Sequence, residues 1–116
     1  MFTSKKKKIH IYLESIPVAD KTGFDLLLHD YLNGTLKSNL EDMGVTKIDI
    51  HIDWYDSMRC IGVHGRFKKY YMDMQIYPDE FCLSFDLEEP DEDETYPMKS
   101  KDYFYQTLAN TIYDLV

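Results

Sequence analysis

The stretch from Thr46 to Leu87, TKIDIHIDWYDSMRCIGVHGRFKKYYMDMQIYPDEFCLSFDL, decides the fold. Its first segment places Ile48, Ile50, Ile52 and Trp54 on one side and Asp49, His51 and Asp53 on the other, the period of two that marks a half-buried strand. Arg59 to His64 follow as a second strand, and a turn spans Gly65 to Lys69. In Tyr70 to Tyr77 the residues Tyr70, Met72, Met74 and Ile76 share a face, and after the turn Pro78-Asp79-Glu80 the residues Phe81, Leu83, Phe85 and Leu87 do the same. Successive strands with such short links predict an antiparallel meander.

The period changes on either side of this block. Thr22 with Asp25 three residues on has the form of a capping box, and Phe24, Leu27, Leu28 and Tyr31 follow at helical spacing. Leu32, Leu36, Leu40 and Met43 carry the stripe to Gly44. Asn33-Gly34 interrupts it, so the expectation is one kinked helix or two short ones meeting there. Ser100 caps a final helix with Phe104, Leu108, Ile112 and Leu115 on one side. Near the N-terminus, Ile9, Ile11 and Leu13 alternate with His10 and Tyr12 and are read as a strand ended by Pro17. The expected order is therefore β-α-β-β-β-β-α. It describes an α+β two-layer sandwich, with two helices on one face of a four- to five-stranded antiparallel sheet and the other face open.

At 116 residues, 44% of them apolar, the chain suits a single domain spanning residues 1–116 with a core that needs no staples. Lys5 to Lys8 are expected to form a flexible basic arm over residues 1–8. Residues 88–97, with prolines at both 90 and 97, are expected to form an acidic loop. No run of about eighteen apolar residues exists, and the short apolar stretch after the lysines lacks the form of a signal peptide. Two cysteines, Cys60 and Cys82, fit thiols in a reducing compartment, so a cytoplasmic protein without membrane contact is expected.

Charge is the most informative feature for function. Between Tyr70 and Met98 stand ten carboxylates and no Lys or Arg, whereas the rest of the chain carries thirteen basic and eleven acidic residues and is nearly neutral. The run Asp86 to Glu94 has seven carboxylates in nine residues. Extended, it spans about 30 Å, a charge spacing close to the roughly 3.4 Å per phosphate of one DNA strand. A field of this sign repels nucleic acid and attracts basic surfaces, so direct nucleic-acid binding is not expected in spite of Lys5 to Lys8.

Catalytic patterns are sparse. Cys60 and His64 are separated along a strand by about 13 Å, beyond hydrogen-bond reach. No phosphate loop or serine elbow occurs among the five glycines. His51 and Asp53 share the polar sheet face, where Asp49, His64 or Asp73 could complete a ligand set; a metal- or ligand-binding enzyme built on His51, Asp53 and His64 is the alternative reading.

The principal expectation is a small acidic inhibitor with no cofactor, no metal and no catalytic residue. It would occlude a basic surface on a nuclease or other nucleic-acid-binding protein. Immunity proteins, antitoxins and DNA-mimicking anti-restriction or anti-CRISPR proteins share this charge and size, though no motif is held in common. The residues expected to meet the partner are Asp86, Glu88, Glu89, Asp91, Glu92, Asp93 and Glu94, supported by Asp73, Tyr77, Asp79 and Glu80.

Overall fold

A computed structural model describes residues 4–55, 58–87 and 94–116. The chain begins with helix α1, Lys5–Glu14, and a 3-10 turn at Val18–Asp20. Helices α2, Gly23–Asn33, and α3, Thr35–Asp42, follow. Five strands come next: β1 Thr46–Trp54, β2 Arg59–Phe67, β3 Tyr70–Ile76, β4 Glu80–Asp86 and β5 Glu94–Pro97. Helix α4, Lys101–Asp114, closes the chain. The strands form one open antiparallel sheet in the order β1-β2-β3-β4-β5, so the fold is α+β with a meander, as the alternation predicts.

Two expectations are corrected. The segment around Ile9, Ile11 and Leu13 is helix rather than strand. Ile9 and Leu13 lie one helical turn apart and are both fully buried, while Ile11 is 54% exposed. Five residues with apolar groups at alternate positions satisfy either period. Local chemistry and docking decide between them. Ser4 caps the first turn, four lysines supply good helix formers, and His10 meets Glu14 at 2.9 Å across one turn. Lys5 to Lys8 are thus the first turns of α1 and not an arm: Lys5 Nζ donates to the Ile52 carbonyl at 3.0 Å, and Lys6 lies over the Tyr31 ring.

The second correction concerns residues 88–97, whose last four are strand β5. Pro97 is tolerated because it ends an edge strand, and Tyr96 is held by stacking on Phe81 with ring centroids 5.3 Å apart. Residues 88–93 lie outside the described part of the chain.

The local signals elsewhere hold. Thr22 and Asp25 form a complete capping box, and Ser100 accepts from the Tyr103 N–H. Gly34 adopts φ 83°, a left-handed conformation open to glycine without strain, and there the stripe divides into α2 and α3.

Cross-strand partners share a face. Ile52–Ile61–Ile76–Phe81 and Ile50–Val63–Met74–Leu83 therefore run as two apolar rows across the sheet. All but the half-buried Ile50, which packs against its edge, join Ile9, Leu13, Phe24, Leu28, Leu40, Phe104 and Leu108 in one buried cluster. Polar links fasten the helices to it. The Arg59 guanidinium donates to the Tyr12 hydroxyl (3.0 Å), which donates to buried Asp25 (3.0 Å), the residue that also caps α2. Tyr105 of α4 donates to buried Asp30 of α2 at 2.8 Å, with Lys101 3.6 Å away. The same two helices meet at Gly23, where a Cβ would fall 2.9 Å from the Ser100 carbonyl carbon and 3.0 Å from Lys101 N.

Candidate functional site

The residues that alternate with the apolar rows make a polar sheet face. By register its positions form a grid: Asp53, Cys60, Tyr77 and Glu80 in one row; His51, Gly62, Gln75, Cys82 and Thr95 in the next; Asp49, His64, Asp73 and Ser84 in a third. In a fourth row Arg66, Tyr71 and Asp86 stand side by side. Strands about 4.8 Å apart and about 3.3 Å of rise per residue set the spacing of this grid. Asp49, Asp53, Asp73, Glu80 and Asp86 thus share the face. Arg66 is the base among its described paired positions, and it lies over the Tyr71 ring at 4.2 Å.

Histidine chemistry concentrates in the centre. His51 lies over Gly62, where any Cβ would collide with its ring. From that seat it stacks on His64, with centroids 5.3 Å apart and planes 14° from parallel. His64 Nδ1 lies 3.1 Å from Asp73 Oδ1. Asp53 is not drawn into this group, since its cross-strand partner is Cys60. Among the described residues no three His, Cys, Asp or Glu side chains converge in a way that could hold a metal ion. Stacked rings present faces rather than lone pairs to one another, so His51 and His64 do not jointly form a chelate in this arrangement.

Beside them, burial pushes the Cys60 thiol above its usual pKa, against the opposing effect of a hydrogen bond with Tyr77. A thiol held protonated is a poor nucleophile. Tyr77 is likewise raised, chiefly by burial and then by Cys60, and its hydroxyl donates to Gln75 at 2.6 Å. Cys82 sits near the Thr95 hydroxyl at 3.5 Å.

The acidic residues singled out by sequence are divided by the sheet. Asp86 ends β4 and Glu94 begins β5, so the carboxylate-rich link joins two neighbouring antiparallel strands and leaves from one end of the sheet. Glu94 accepts from the Tyr96 hydroxyl, which raises the tyrosine's pKa, with burial adding to it. Asp73 lies in the middle of β3. Tyr77, Asp79 and Glu80 belong to the turn at the opposite end of β3 from Asp86, about 20 Å away along the strand. Glu88, Glu89, Asp91, Glu92 and Asp93 lie outside the described residues.

The sequence places Asp49 and Asp53 on the polar face with Asp73 as a possible companion, but only as candidate ligands and not as part of the acidic surface. Their company with Asp86 required the register. No helix among the described residues is long and apolar enough to cross a membrane. No family model, curated protein or solved structure matches this chain.

Proposed function

We propose that the protein is a small acidic binding protein that occludes a basic, nucleic-acid-contacting surface of a partner protein, in the manner of a DNA mimic. The observation that carries the reading is the segregation of ten carboxylates, without a Lys or Arg, between residues 70 and 98. The sheet adds two supports. The run from Asp86 to Glu94 is tied at both ends to adjacent strands, so its charge is presented from a fixed base. The neighbouring polar face adds Asp49 and Asp53 to the same field, on the face that Asp73 shares.

Affinity would come from steering and from desolvated charge pairs with the partner's Lys and Arg, and the chain itself would perform no chemistry. Asp86, Glu88, Glu89, Asp91, Glu92, Asp93 and Glu94 form the principal contact in this reading. Asp73 extends it, while Tyr77, Asp79 and Glu80 engage only a partner large enough to reach across the sheet.

The test begins with affinity capture from lysate at low and high salt, followed by kinetics with the captured protein. Converting Glu88, Glu89, Asp91, Glu92, Asp93 and Glu94 to Gln or Asn is expected to slow association and reduce its salt dependence, with the fold retained. The wild-type protein is also expected to displace nucleic acid from the captured partner. Unchanged rates at two ionic strengths, or a partner that binds nucleic acid equally well in its presence, would refute the reading.

A further inference from the structure

The two edges of the sheet differ. β5 is four residues long and ends in Pro97, which cannot donate, whereas β1 runs nine residues. Tyr55 and Met58 exchange main-chain hydrogen bonds of 2.8 and 3.3 Å. Alternation along an antiparallel ladder then turns the main-chain groups of Asp53, His51 and Asp49 toward β2 and those of Ile52 and Ile50, with the Ile48 carbonyl, outward; the register shifts only between Thr46 and Asp49. Lys5 Nζ on the Ile52 carbonyl agrees with this assignment. Among the described residues the outward groups of Ile50 and the Ile48 carbonyl meet no partner.

We propose that β1 is the seat of a symmetric homodimer, in which β1 of one protomer pairs antiparallel with β1 of its partner about a two-fold axis at Ile50. Ile50 would exchange hydrogen bonds with the partner's Ile50, and the Ile52 N–H would donate to the partner's Ile48 carbonyl while Lys5 keeps the Ile52 carbonyl, extending the sheet across both chains.

Charge, the Lys5 contact and the ladder's irregularity together select this register: pairing centred on Ile48 falls on the shift between Thr46 and Asp49. Pairing centred on Asp49 sets that carboxylate against the partner's Asp49, and pairing centred on His51 sets it against the partner's Asp53. Like charges directly opposite are destabilising. Pairing centred on Ile52 puts at the axis the carbonyl that Lys5 already occupies. Centred on Ile50, Asp49 faces the partner's His51, and His51 faces the partner's Asp49. Within one chain Asp49 is already opposite His64, and His64 opposite Asp73. Across the seam the row then alternates in potential charge: the partner's His51, Asp49, His64, Asp73. On the other face Ile48 packs beside the partner's Ile52.

The net charge of −8 on each chain opposes association, so the test uses sedimentation at about 0.15 M salt, where long-range repulsion is screened. From micromolar to millimolar concentration the 13.8 kDa chain is expected to convert to a species of twice that mass. Asp49→Lys and His51→Asp are each expected to weaken the dimer about tenfold or more, since each removes the two Asp49–His51 pairs and the second sets carboxylate against carboxylate. The double substitution restores opposite charges in this register alone, and it is expected to return the dimer constant to within about threefold of wild type. Ile50→Pro removes an outward N–H that no internal bond uses and should leave a folded monomer, as checked by circular dichroism. A wild-type chain that stays monomeric throughout, or a double variant no better than its parents, would overturn the proposal. Should Ile50→Pro fail to fold, the charge variants on the exposed face decide the matter alone.

Discussion

Replacing Gly23 with Ala tests the packing of the helical layer. Gly23 opens α2 where that helix abuts the start of α4. A Cβ there would meet three main-chain atoms, the Ser100 carbonyl carbon at 2.9 Å and Ser100 Cα and Lys101 N at 3.0 Å each. Ordinary contact begins near 3.4 Å. None of the three can swing aside like a side-chain tip, so α2 and α4 must separate by several tenths of an ångström. That separation would stretch the Tyr105–Asp30 hydrogen bond, which joins the same two helices at 2.8 Å. Overpacking of this kind costs about 1–3 kcal/mol. Alanine recovers at most about 1 kcal/mol of helix propensity, less than usual in a first turn. The net expectation is a loss of about 1–2 kcal/mol, or roughly 4–8 °C in Tm for a domain of this size. Urea unfolding followed by the single tryptophan, Trp54, provides the assay, with an unchanged m-value showing that the unfolded state is not the cause. A Gly23→Ala protein as stable as wild type, or more so, would show that the helix termini are not in close contact.

The remaining expectations concern the core, the polar face and pH. Phe81 is fully buried among Tyr96, Tyr103 and Phe104, so Phe81→Ala should cost about 3–5 kcal/mol in urea unfolding and leave the domain barely stable. Replacing His51, Asp53 and His64 together by Ala should change stability by less than about 1 kcal/mol, because the His64 side chain is 52% exposed and Asp73 34%, which leaves their ion pair weak; a larger loss would mark that cluster as structural. Burial raises Tyr105, Tyr12 and Cys60 above their ordinary pKa values, with hydrogen bonds to Asp30 and Asp25 adding to the effect on the two tyrosines. Their contribution is complete below the unfolded-state values, and it falls as the unfolded chain releases its protons first. Urea midpoints should therefore decline above about pH 9, and less steeply in Tyr105→Phe.

What the sequence determined by itself was everything carried by short-range periodicity and end chemistry. Three strands were legible because each alternates over five or more residues, and a one-residue slip would turn their isoleucines and phenylalanines to water; the second reads from Arg59 to His64 but runs on to Phe67, where the sequence predicts a turn. The capping box at Thr22 and Asp25, the break at Gly34 and the cap at Ser100 were legible because each is completed within a few residues of itself. The acidic bias between residues 70 and 98 needed only counting.

The tertiary structure decided the last strand and, together with the Ser4 cap and the lysine run, the first helix. In Ile9 to Leu13 five residues satisfied both periods, and the choice fell to contacts with Tyr31, Ile52 and Trp54, which lie far along the chain. β5 is strand because Phe81 offers Tyr96 a ring to stack on. The site follows the same division. Which residues carry charge could be read directly, whereas the gathering of Asp49, Asp73 and Asp86 on one face, and the removal of Asp79 and Glu80 to the far end, came from strand register. Register sums weak pair energies over whole strands, so no segment read alone contains it.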